Sequence, residues 1–172
     1  MEIPIWKSIL KKKLSFEQEV TQFLSETALF ENLSKRVLKE IASLVHARNY
    51  AEGEEIFRQG EAGAGLYLIM DGRVGITSSK EGVTMKLADL PKGAFFGELS
   101  LFTEEVRTAT ATALEESLLI GFFQPDLKTL IGRKPRAGLE IVMSIATIIA
   151  QRLSKTNLVL EKAYFKGKTK RD

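Results

Sequence analysis

Apolar residues recur along this chain at two periods, and the change from one to the other divides it into three stretches. On the N-terminal side, Phe16, Val20, Phe23 and Leu24 keep the spacing of one helical face, with Ser15 and Gln18 placed as a capping box. Val37, Leu38 and Ile41 predict a second helix from Ser34 to about Leu44. Such helices normally pack against a core rather than carry chemistry. From His46 onward the runs are short and punctuated by Gly53, Gly60, Gly63, Gly65, Gly72 and Gly75. Strand character falls on Glu55–Phe57, Leu66–Met70, Val74–Thr77, Met85–Ala88, Thr108–Ala113 and Leu118–Phe123, and Asp71-Gly72 predicts a hairpin between two of these runs.

The third stretch is helical again. Gln124-Pro125-Asp126 opens a short helix and Pro135 a long one. In the long helix, Leu139, Val142, Met143, Ala146, Ile149, Ala150 and Leu153 form one stripe and Ile141, Ile145 and Ile148 a second. A helix that packs one face onto a sheet needs only one stripe, so two predict burial on both sides. A second subunit, giving a homodimer through this helix, and cover by the N-terminal helices are the two candidate partners. The expected fold is therefore α+β: an antiparallel β-roll or jelly roll of about eight strands, flanked by N-terminal helices and a long C-terminal helix. One domain is expected over residues 1–172. Its parts are N-terminal helices at 1–46, a roll at 47–123, C-terminal helices at 124–166 and a basic tail at 167–172.

Composition narrows the classes. With 172 residues, 44% hydrophobic and 27% charged, the chain holds enough apolar material for one core of ordinary size. The absence of Cys excludes disulfides and thiol chemistry. No continuous apolar run reaches the ~18 residues of a membrane span, and MEIPIWKSILKKKL lacks the apolar stretch of a signal peptide, so a cytoplasmic protein is expected. The net charge of +3 collects at the ends, in Lys7 and Lys11 to Lys13 after Trp6, and in Lys162, Lys166, Lys168, Lys170 and Arg171. Basic ends beside Trp6, Ile9 and Leu10 suit an anionic membrane surface or a partner, although solvated termini are the plainer reading.

The chemistry concentrates in residues 93–113. Gly97 lets the backbone approach a ligand or take positive φ, and Glu98 to Phe102 is long enough for one helical turn whose first amides point outward. Arg107 supplies a planar cation matched to paired phosphate oxygens, and Thr108 adds a hydroxyl. A phosphate repels the Glu98 carboxylate, so that residue must face a donor such as a sugar hydroxyl. The combination reads as a pocket for a sugar-linked phosphate.

This run, Phe95-Phe96-Gly97-Glu98-Leu99-Ser100-Leu101 with an Arg nine positions after the Glu, resembles the phosphate-binding cassette of the cyclic nucleotide-binding domain family. That family includes catabolite activator proteins, cyclic AMP-dependent kinase regulatory subunits and cyclic nucleotide-gated channels. The resemblance spans roughly residues 28–155, and Val106 departs from the Pro common at that place. It implies that Glu98 binds the ribose 2′-hydroxyl and Arg107 the cyclic phosphate, with Gly97, Leu99, Ser100 and Thr108 completing the cradle. The ligand is then cyclic AMP or cyclic GMP, with cyclic AMP expected, and no metal. Arg152, Thr156 and Asn157 are candidate base contacts from the long helix; Tyr164 and Phe165 are an alternative lid. By resemblance the chain is a stand-alone sensor that moves its C-terminal helix to signal to an effector protein, the alternative being a ligand-free interaction scaffold. Fewer than 20 residues follow Leu153, so no DNA-reading helix-turn-helix is expected. An enzyme is not expected either, since a metal site on a similar roll needs several His and this chain has only His46.

Overall fold

The computed structural model describes residues 16–168. Ser15, the proposed partner of Gln18, and the basic residues of both ends, apart from Lys162, Lys166 and Lys168 in the last helix, lie outside that range. Helix α1 (16–25) and helix α2 (Lys35–Leu44) precede eight strands: β1 His46–Tyr50, β2 Glu55–Phe57, β3 Gly65–Asp71, β4 Arg73–Lys80, β5 Val83–Pro91, β6 Phe95–Phe96, β7 Thr110–Ala113 and β8 Ser117–Phe123. Helices α3 (Gln124–Arg133) and α4 (Pro135–Lys168) follow. The strands form two antiparallel four-stranded sheets, ordered β1-β8-β3-β6 and β2-β7-β4-β5. This is the expected β-roll.

Strand alternation builds two cores. On the first sheet, Leu66, Leu68, Phe95, Ile120 and Phe122 face the helices and join Val20, Leu24, Leu38, Ile41, Ile141 and Ile145 in one buried cluster. Their sequence neighbours Ile69, Phe96 and Leu119 point the other way and meet Ile56, Val74, Ala111 and Ala113 of the second sheet. Because side chains switch face at every residue, Phe95 and Phe96 serve opposite cores.

Three expectations change. Asp71-Gly72 is not a hairpin: β3 and β4 belong to different sheets, and the pair forms the corner between them. Gly72 has φ 87°, and a Cβ there would lie 2.3 Å from Ser117 Oγ and 2.7 Å from the Glu116 carbonyl. The tight hairpin lies at Glu81-Gly82, both with positive φ (52° and 79°), between the paired strands β4 and β5. Strands β1 and β6 escape the pattern reading. Four of the five β1 residues are exposed, and β6 has only two residues, too few to show a period. Finally, residues 135–162 of α4 have the length to cross a membrane and contain an 18-residue stretch with a mean hydropathy of 1.3, which no unbroken apolar run had indicated.

Of the two α4 stripes, Ile141 and Ile145 are fully buried and Ile148 half-buried against the helical cluster. Leu139, Met143 and Leu153 of the other are 59–61% exposed. Val142 and Ile149 of that stripe are half-buried against the same cluster, and the described N-terminal residues share the first core with α4 while Leu139, Met143, Ala146, Ala150 and Leu153 stay exposed.

Candidate functional site

Strand β6 delivers the chain to Gly97, whose φ of 77° is left-handed and turns it into a short 3-10 helix, Glu98–Leu101. A Cβ at Gly97 would stand 2.6 Å from Arg107 Nη1, so the residue is required by proximity as well as by φ. The first internal bond of the turn runs from the Ser100 N–H to the Gly97 carbonyl at 3.3 Å, with the amides of Glu98 and Leu99 ahead of it. Glu98 and Ser100 are buried, while Leu99 is about half exposed.

Arg107 enters from the loop before β7. Its backbone is clamped on both sides: the Arg107 N–H donates to the Glu61 carbonyl at 2.7 Å, and the Gly60 N–H donates to the Arg107 carbonyl at 2.8 Å. Its guanidinium lies 4.0 Å over the Phe57 ring, and Phe57, Tyr67 and Phe96 contact one another at 5.7–5.9 Å between centroids. Nη1 donates to the Gly97 carbonyl at 3.1 Å and to Ser100 Oγ at 3.0 Å. Nε is buried and has no hydrogen-bond partner, the only buried side-chain polar atom in that condition among the described residues. Burial lowers the guanidinium's pKa from its usual value; Tyr67, Glu61 and Glu98 oppose the shift. An orphaned buried donor of this kind costs about 1–3 kcal/mol until something accepts from it.

Glu98 faces the opposite direction, toward α4. Arg152 Nη1 donates to Glu98 Oε1 at 2.6 Å and Nη2 to the Phe95 carbonyl at 3.0 Å, with the guanidinium 4.8 Å over the Phe95 ring. Above these groups opens a cleft of about 690 Å³. Its polar side carries Gly97, Glu98, Leu99, Ser100, Arg107 and Thr108; Ile76, Leu87, Ala88 and Leu90 of β4 and β5 make an apolar wall; Arg152, Lys155 and Thr156 of α4 close the third side.

All six cassette residues read from the sequence therefore line one cleft, together with Arg152 and Thr156. Thr156 Oγ1 donates to the Arg152 carbonyl at 2.9 Å. Asn157, Tyr164 and Phe165 do not line the cleft; the two rings stand edge-to-face at 5.6 Å, further along α4. Sequence reading missed Phe57 and Tyr67 beneath Arg107, and Lys155. It also missed Gln124, whose side-chain amide donates to the Ser100 carbonyl at 3.0 Å and ties the cassette to α3. No local pattern marks these residues, because only the folded sheets bring them to Arg107 and Ser100.

Comparison with known proteins gives a consistent picture. Residues 47–134 match the cyclic nucleotide-binding domain family. The chain is 34% identical over 134 residues to a cyclic AMP receptor protein of Thermus thermophilus, covering 77% of this chain and 60% of that protein. It is 35% identical over 109 residues to the cGMP-dependent protein kinase egl-4 of Caenorhabditis elegans, covering 61% of this chain and 14% of the kinase. Among solved structures, the catabolite activator protein of Thermus thermophilus superposes with a TM-score of 0.73 at 34% identity, over 81% of this chain and 64% of that one. The chain thus spans less than two thirds of each of these relatives.

Proposed function

The chain belongs to the cyclic nucleotide-binding domain family, and from that premise we propose that its cleft binds a cyclic nucleotide and reports occupancy through α4. The observation that carries the reading is Arg107, a buried cation facing the cleft with an unpartnered Nε. A cyclic phosphate supplies the acceptor, and the Thr108 hydroxyl and the leading amides of the 3-10 turn add donors. Gly97, Leu99 and Ser100 shape that cradle. Glu98 accepts from the ribose 2′-hydroxyl, and the apolar wall of β4 and β5 takes the purine, with Thr156 at its edge. Cyclic AMP is the preferred ligand, in line with the cyclic AMP receptor among the relatives.

Signalling follows from a shared carboxylate. Arg152 seats α4 through Glu98, the same group that meets the ribose. Occupancy therefore changes the contact that holds the helix, and a ligand with different affinity for the two helix positions shifts their populations. An effector protein, met in the cytoplasm, reads that shift; the role is binding and regulation, not catalysis.

One observation favours the scaffold alternative: the Arg152–Glu98 pair satisfies the carboxylate with no ligand required. Titration calorimetry with cyclic AMP and with cyclic GMP separates the readings. The sensor predicts saturable one-site binding to at least one of them, tighter for cyclic AMP, and the same nucleotide recovered by mass spectrometry from denatured protein. Silence toward both nucleotides leaves only the scaffold.

A further inference from the structure

Past Ile148 the inward stripe of α4 changes character. Ile141, Ile145 and Ile148 are succeeded, at steps of three and four residues, by Arg152, Lys155, Val159, Lys162 and Lys166, with no acid among them. The row turns from apolar to basic where the helix leaves the core, since every residue from 150 to 162 is exposed. Its charges are not equivalent. Arg152 is neutralised by Glu98 at 2.6 Å, whereas Lys155 and Lys162 form no ion pair among the described residues. Lys155 lines the cleft, and Lys162 stands two turns, about 10 Å, further out along the same face.

The cassette rim of the cleft is acidic. Glu105 lines it, Glu104 comes just before, and both are exposed without an ion pair among the described residues. Deeper in, Glu98 offsets one of the two guanidiniums, so the field at the entrance is a contest between these two acids and the two α4 lysines. Holding the ligand and attracting it are then separate tasks. A cyclic nucleotide carries one negative charge, and the buried Arg107 with the leading amides of the 3-10 turn already faces its phosphate. An exposed ammonium adds little to a bound contact, because water and salt screen it. Charge at a cleft mouth instead acts on the approaching anion and raises the rate at which it arrives.

We infer that Lys155 and Lys162 steer the anionic nucleotide into the cleft against the repulsion of Glu104 and Glu105, setting its rate of association and not its residence time. The inference rests on the cyclic nucleotide reading of the cleft. Stopped-flow binding to the full chain tests it, with cyclic AMP carrying an uncharged nitrobenzofurazan fluorophore at C8, which leaves ribose and phosphate unaltered. At roughly 10 mM salt, Lys162→Gln is expected to lower the association rate about 2-fold and the Lys155→Gln, Lys162→Gln pair about 3- to 5-fold. Glu104→Gln with Glu105→Gln should raise it by a similar factor. The dissociation rate of Lys162→Gln should equal that of wild type, and Lys35→Gln, which removes the same charge from α2, should change neither rate. At about 1 M salt, where the screening length is about 3 Å, all association rates should converge. Equal association rates at low salt overturn the inference. So does a loss that persists at high salt, a loss equally large in Lys35→Gln, or a change confined to dissociation, which would make the lysines holding contacts. A wild type that binds neither nucleotide in calorimetry overturns the binding reading and the steering together, whereas the other failures leave that reading standing.

Discussion

At the scale of single residues, the site is a contest over two side chains. Arg107 is buried with one donor unmet, and Glu98 is buried with its acceptor taken by Arg152. Truncating Arg107 would remove the proposed phosphate contact while relieving a desolvated cation, so affinity and stability separate. Arg107→Ala is expected to lose nucleotide affinity by roughly 10- to 100-fold, corresponding to about 1.5–3 kcal/mol, in calorimetry. Its ligand-free melting temperature should stay within roughly 2–4 °C of wild type. A collapse of the ligand-free fold would instead make Arg107 a structural residue. The spacing of Glu98 and Arg107 was legible in the sequence because both lie within one local turn and loop. The Phe57 and Tyr67 rings beneath the guanidinium were not, since they come from strands 50 and 40 residues earlier.

At the scale of elements, a short motif fixes local backbone but not which sheet its neighbours join. Asp71-Gly72 has hairpin composition and the left-handed φ that goes with it, yet it turns a corner because β3 pairs with β8 and β4 with β7. Gly72→Ala adds both strain and a clash with the Glu116 carbonyl. We expect a loss of about 2–4 kcal/mol in urea denaturation, where a surface Gly→Ala change would be near neutral. Helix α4 poses the complementary question of what holds it down. Beyond Ile145 its inward contacts thin to half-buried Ile148 and Ile149 and then to Arg152. Arg152→Ala is therefore expected to speed amide hydrogen exchange from about Ala150 onward, leaving α2 and β8 unchanged. Equal protection in both proteins would show that Arg152 does not seat the helix.

For the whole molecule, ligand and fold are linked. A nucleotide that binds only the folded chain at about 100 times its Kd adds about 2.7 kcal/mol, which for this size is roughly 5–10 °C in melting temperature. At the same nucleotide concentration the stabilisation should fall to about 0.4–1.4 kcal/mol in Arg107→Ala, as a 10- to 100-fold weaker affinity requires. Apolar periods and the Gly97 to Thr108 spacing determined the class of fold, the order of its helical and strand-rich stretches and the position of the cassette along the chain, because each is expressed over a few consecutive residues. Tertiary structure alone decided which strands share a sheet, that Arg152 meets Glu98 across 54 residues, and which stripe of α4 stays exposed. The sequence announced two apolar stripes on that helix, seven residues in one and three in the other. Only the packing of Ile141 and Ile145 into the first core showed which was already satisfied, since a periodic pattern records that a face is apolar and not what lies against it.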